Sequence, residues 1–153
     1  MHRVRSRRRS YVAVVLVLLA TTGAAVFGFT SVVSAGTAAD TELKVTLGKP
    51  REYALKASAT SGKAGEVAFV VRNRGKVTHE FIVLKTRTPA TKLKPRPDEP
   101  GKVVEPGFLL EIEDVEPGHR VTVALPMKKG HYVLLCNIED HYAGGMRSDL
   151  TLR

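Results

Sequence analysis

The 153-residue chain has no tryptophan, a single cysteine and no acidic residue before Asp40. One cysteine excludes an intramolecular disulfide, a zinc site built on two or four cysteines, and a cysteine-bridged pair of copper ions. No cysteine follows the N-terminal apolar stretch, which excludes lipid attachment there. No internal repeat is visible, and beyond residue 40 no apolar stripe of helical period runs for about 12 residues. What remains is ordinary for a globular chain: 43% hydrophobic and 25% charged residues, which counts against wholesale disorder. The length holds one domain, or one domain with an export segment.

The net charge of +9 is unevenly placed. Arg3, Arg5, Arg7, Arg8 and Arg9 precede the uncharged stretch 11–33, rich in Val, Leu and Ala, and small residues follow at Val33-Ser34-Ala35 and Thr37-Ala38-Ala39. That order reads as a secretory signal with a cleavage site. Cutting after Ala39 leaves 114 residues with 19 basic against 15 acidic side chains, so the excess speaks to targeting and not to nucleic acid. Two variants stay open. Residues 11–33, at about 1.5 Å per residue, are long enough to cross a bilayer uncleaved as a membrane anchor, and Arg8-Arg9-Ser10-Tyr11-Val12 loosely fits a twin-arginine signal. Every variant predicts 1–39 as signal peptide or anchor and 40–153 as an extracytoplasmic domain, periplasmic, cell-surface or secreted, in a bacterium.

From residue 43 onward, short alternating or apolar runs are separated by turn residues. The spacing predicts strands at 43–47, 53–59, 66–73, 78–84, 108–115, 119–125, 131–136 and 147–152, an all-β sandwich or barrel. Val67, Phe69 and Val71 are expected inward, as are Phe108, Leu110 and Ile112, and Val121, Val123 and Leu125. Thr86 to Gly107 carries five prolines together with Lys92, Lys94, Arg96 and Lys102, which predicts a long, solvated connection.

Cys136 closes the apolar run Tyr132-Val133-Leu134-Leu135 and opens a Cys-x₄-His-x₄-Met arrangement with His141 and Met146. His79 sits at the start of another strand, after the turn Asn73-Arg74-Gly75. A thiolate, two imidazoles and a thioether suit copper cycling between Cu(I) and Cu(II), and offer nothing to Ca²⁺ or Mg²⁺. The spacing lets one loop present Cys136, His141 and Met146 around a point, with Gly144-Gly145 freeing the chain to turn back. His79 would come from a distant strand, so the metal is clamped between rigid elements and changes geometry little on gaining or losing an electron. The same donors also bind Zn²⁺.

The stretches N-x-G-x₃-H-E-F at 73–81, E-P-G-H-R-V-T-V at 116–123 and G-H-Y-V-L-L-C…H…G-M at 130–146 resemble the cupredoxins, the small blue-copper electron carriers that include plastocyanin, rusticyanin and sulfocyanin. The resemblance implies an eight-stranded Greek-key sandwich holding one copper ion, with His79, Cys136 and His141 as equatorial ligands and Met146 as the weak axial one. It also implies redox partner proteins, membrane-bound respiratory ones among them, and a monomeric domain without enzymatic activity. The second histidine's ring edge is commonly the exposed electron port in that family, set in an apolar patch. Here Glu139 and Asp140 precede His141 and Glu80 follows His79. These carboxylates imply a more charged docking face and a lowered reduction potential.

The remaining candidates have plainer readings. His119 and His131 adjoin turn glycines and are expected exposed and structural; Met127 and Phe81 are expected to pack. Tyr132 and Leu134 share the face of Cys136 and should keep the site dry, while Asn137 is expected to hold the loop through local hydrogen bonds. Four histidines beyond residue 40 are too few for a multicopper enzyme. A copper-sequestering or delivery protein is the alternative to an electron carrier.

Overall fold

The computed structural model describes residues 38–153, so the expectations for the export or anchor segment lie outside the described residues. Nine strands follow: β1 (Thr41–Leu47), β2 (Leu55–Ala57), β3 (Ser61–Gly62), β4 (Gly65–Asn73), β5 (His79–Lys85), β6 (Phe108–Val115), β7 (Arg120–Met127), β8 (Gly130–Leu135) and β9 (Arg147–Leu152). Among the described residues the one helix is a single turn, α1 (His141–Gly144), inside the Cys136–Met146 loop. One sheet has the order β2-β1-β4-β7 and the other β3-β9-β8-β5-β6. β1 runs parallel to β4 and β3 parallel to β9, the remaining neighbours being antiparallel. The chain crosses between the sheets repeatedly, as in Greek-key sandwiches.

The expected strands are present with modest changes of boundary. The segment at 53–59 contracts to the three residues of β2, and Ser61–Gly62 adds a short edge pairing. Alternation sorts the faces as expected in β4, where Val67, Phe69 and Val71 are buried. They meet Leu43, Val45 and Leu47 of β1, and Phe81, Val83, Tyr132, Leu134, Leu150 and Leu152 of the facing sheet. Phe69 and Phe81 touch across the gap with ring centroids 5.3 Å apart. Each buried aromatic or aliphatic side chain of this kind contributes about 1.5–3 kcal/mol. Met127 packs in the same core, as expected.

β6 departs from its expected face. Leu110 and Ile112 pack against the core, but Phe108 is 49% exposed. A register shift between Val83 and Leu84 aligns Phe108 with Leu84, whose side chain points away from the core. One irregular residue therefore turns the strand's first side chain to the other face.

The proline-rich 86–107 segment is not the solvated connection that was expected. Ala90, Leu93 and Val103 are buried, packed with Ile82, Leu84, Val133, Leu135 and Tyr142 on the outer side of the second sheet. Proline forbids a central strand but does not prevent its neighbours from burying apolar side chains. The Tyr142 hydroxyl accepts from Leu93 N at 3.2 Å and donates to Ala90 O at 2.6 Å, fastening the segment to the Cys136–Met146 loop. Its charges are partly neutralised within it, Glu99 pairing with Arg96 at 2.7 Å and with Lys102 at 2.8 Å. Lys44, Arg72, Arg74 and Arg120 instead line an open cleft of about 270 Å³ on the first sheet.

Candidate metal centre

The strand ends converge at one pole. Register pairs Ile82 with Leu135, so Cys136, the residue just past β8, lies beside the start of β5, where His79 is the first residue. Glu80 N points at Cys136 Sγ at 3.4 Å, and Asn137 N donates to Glu80 Oε1 at 2.5 Å. Past Asn137 the chain makes a tight reversal. Asp140 takes a left-handed conformation (φ 64°), His141 opens α1, and Gly145 (φ 121°) turns the chain back. The loop closes on itself: Met146 N donates to His141 O at 3.1 Å and Cys136 N to Met146 O at 3.1 Å. Gly144-Gly145 performs the expected turn, and the space beside Gly144 is taken by Tyr53.

This folding brings His79, Cys136 and His141 together, all buried, with their donor atoms within 4.8 Å of one another. His79 Nδ1 lies 3.2 Å from His141 Nδ1, and Cys136 Sγ lies 3.3 Å from His141 Nδ1. Donors sharing one ion at about 2.0–2.3 Å stand roughly 3.3–3.8 Å apart, so the cluster fits a single nitrogen- and sulfur-ligated metal. Met146 is fully buried and joined through its main chain to both Cys136 and His141.

Electrostatics keep the imidazoles neutral. Burial lowers the pKa of His79, against an opposing pull from Glu52. His141 is lowered by burial and then by His79. Burial also pushes the Cys136 thiol up to about 11, so a metal must displace its proton. Glu80 is raised, first by burial and then by Glu111 and Glu105, against the Asn137 N–H.

Several neighbours differ from expectation. His141 is only 7% exposed, and the ring of Tyr53 lies over it at 4.8 Å between centroids and 43°. The second histidine is therefore covered by a phenol ring that is itself on the surface, Tyr53 being 44% exposed. Asn137 works over long range, not locally. Its side chain exchanges two hydrogen bonds of 2.9 Å with the main chain of Val103 and reaches Glu105 Oε1 at 2.6 Å. His119 is exposed as expected, whereas His131 is half-buried, bonded to Thr86 O at 2.6 Å and Asp149 Oδ1 at 2.8 Å. Tyr132, Leu134 and Phe81 lie in the core together with Cys136 and Met146.

Sequence reasoning missed the contribution of the β1–β2 loop. Glu52 Oε1 stands 3.3 Å from His79 Nε2, and Arg51 and Tyr53 lie against Gly145 and Gly144. No motif marks Arg51-Glu52-Tyr53; only the return of β1 to the metal pole places it there.

Two facing sheets with a buried His–Cys–His cluster where their strands end are the architecture of the cupredoxins. Solved structures narrow the likeness. Auracyanin B matches with a TM-score of 0.54 at 20% identity over 76% of this chain and 91% of its own. Auracyanin A, a "blue" copper protein from Chloroflexus aurantiacus, matches with a TM-score of 0.51 at 18% identity over 73% and 98%. Rusticyanin from Thiobacillus ferrooxidans matches with a TM-score of 0.53 at 14% identity over 76% and 79%. At these identities the likeness is one of fold. No family model and no curated protein sequence matches the chain.

Proposed function

We propose that the protein is a mononuclear blue-copper electron carrier, with His79, Cys136 and His141 as the principal ligands and Met146 as the weak axial one. The observation that carries this reading is the buried cluster of one thiol and two neutral imidazoles, with donor atoms within 4.8 Å of one another and His141 Nδ1 standing 3.2 Å from His79 Nδ1 and 3.3 Å from Cys136 Sγ. Copper bound there would supply a one-electron couple between Cu(I) and Cu(II). The chain's own residues do the rest. Glu80 N and the loop hold the sulfur, and Cys136 is fully buried in the core that also holds Phe81, Leu134 and Met146, which excludes water. Both metal-bearing strands are fixed in one sheet, which limits rearrangement when the charge changes. No substrate bond is made or broken, so no enzymatic activity is proposed.

Burial of all three donors favours a carrier over a copper-delivery protein, whose metal must exchange with a partner. The arginine-led apolar N-terminus supports export, with electrons exchanged outside the cytoplasm with respiratory proteins at the membrane. The test is to add Cu²⁺ to the purified protein and record its visible spectrum and potential. An intense thiolate-to-copper band is expected, bleached reversibly by a reductant and missing in Cys136→Ser. A colourless copper adduct would replace this reading with copper handling.

A further inference from the structure

The β1–β2 loop governs how one ligand is presented, an inference that rests on the copper reading above. Gly48 N donates to Ala54 O at 2.9 Å, closing the loop at the metal pole. In its middle, Glu52 directs Oε1 to His79 Nε2 at 3.3 Å, and the same oxygen accepts from Lys76 N at 2.8 Å and Val77 N at 3.3 Å. The carboxylate is thus held by main-chain donors that do not depend on the histidine.

Two glycines make the approach possible. A Cβ on Gly75 would stand 2.1 Å from Glu52 Oε1 and 3.0 Å from His79 Nε2. One on Gly48 would stand 2.4 Å from Gly75 Cα and 3.2 Å from His79 Nε2. Any other residue at Gly75 would drive the carboxylate off the ring.

A neutral imidazole carries one N–H and one lone pair, and an ionised carboxylate can only accept. Glu52 therefore draws the hydrogen to Nε2 and leaves the lone pair on Nδ1, the atom 3.2 Å from His141 Nδ1. We propose that Glu52 is a positioning residue of the metal centre, selecting the Nε2–H tautomer of His79 and fixing its ring so that Nδ1 is the ligand atom. A carboxylate behind a ligating histidine also raises its basicity and places a negative charge one ring from the metal, favouring the more oxidised ion.

The competing role is mechanical, with Glu52 merely stapling the 74–77 turn through Lys76 N and Val77 N. Three full-length proteins separate the two roles: wild type, Glu52→Gln, which keeps an accepting oxygen without the charge, and Glu52→Ala. Long-range ¹H–¹⁵N histidine spectra of the metal-free proteins read the tautomer. Competition titrations with Zn²⁺ read affinity without redox chemistry, and the copper-loaded proteins give the potential. Wild type and Glu52→Gln should show His79 as Nε2–H, and Glu52→Ala should lose that preference. Zn²⁺ affinity should fall about 10–100-fold in Glu52→Ala and recover in Glu52→Gln. The potential should rise in Glu52→Gln. An unchanged tautomer or an unchanged Zn²⁺ affinity in Glu52→Ala overturns the positioning role, even if the protein melts earlier. If wild type takes up neither metal, the copper reading fails, and the tautomer spectra alone still decide whether Glu52 orients His79.

Discussion

Truncating Asn73 to alanine strikes the joint that holds His79 in place. The amide is fully buried where β4 ends. Its Nδ2 donates to Val77 O and Val115 O, both at 2.7 Å, and its Oδ1 accepts from Gly75 N at 2.8 Å. Val115 pairs with His79 in the β5–β6 register, so the bonds span both flanks of His79. Three hydrogen bonds at about 1 kcal/mol each give a loss of about 3 kcal/mol, and the buried Val115 carbonyl left without a partner adds about 1–2 kcal/mol more. A loss of about 4–5 kcal/mol is a large part of the roughly 5–15 kcal/mol that holds a domain together. Urea unfolding of the metal-free protein, followed by circular dichroism, measures it. At a slope of about 1.5–2 kcal/mol/M the midpoint should fall by about 2–3 M. Asn73→Asp should be as damaging at neutral pH, because a carboxylate oxygen would face two carbonyls in place of the donating NH₂ group. A loss below about 1.5 kcal/mol in Asn73→Ala, or wild-type stability in Asn73→Asp, would refute the account.

Alkaline titration probes the thiol. Cys136 ionises near 11 folded against 9.0 ordinarily, so its contribution is complete below pH 9 and is lost as pH rises to 11. The metal-free stability advantage of wild type over Cys136→Ala should therefore shrink by about 3 kcal/mol across that window, and parallel pH profiles would falsify this. Asp140→Asn should fold normally, since asparagine tolerates the left-handed backbone at this position. Removing its charge beside His141 should raise the copper potential by about 20–45 mV, the one-electron equivalent of about 0.5–1 kcal/mol. An unchanged potential would mean that solvent screens this exposed carboxylate completely.

Cys136, His141 and Met146 were legible because their spacing is local: a strand end, one turn and a return lie within eleven consecutive residues. His79 was found through the Asn73–Phe81 motif, and the strands through alternation, which follows directly from sheet geometry. Phe108 was misplaced because a register shift in its pairing with β5 does not disturb the pattern in β6 itself. The 86–107 segment was misread because its prolines reported correctly on backbone pairing and not at all on burial. The unbroken runs Phe81–Leu84 and Tyr132–Leu135 held the missing information, since a strand that is apolar on both faces needs a cover on both. Glu52 and Tyr53 had no comparable signal. Their roles arise only when β1 brings its loop to the pole where β5 and β8 present His79 and Cys136.

The cover over the second sheet sets a hierarchy of opening. Residues 82–84 of β5 and 133–135 of β8 are shielded by the sandwich core on one face and by Ala90, Leu93 and Val103 on the other. Both strands lie inside a five-stranded sheet, their amides bonded between β5 and β8 and to the flanking β6 and β9. Such hydrogens leave only when the whole domain unfolds, whereas those of β2, β3 and the sheet edges exchange through local fraying. The two strands that deliver His79 and Cys136 would thus be the last to yield to deuterium. The segments that lead to His79 and Cys136 would then stay paired through every fluctuation short of global unfolding.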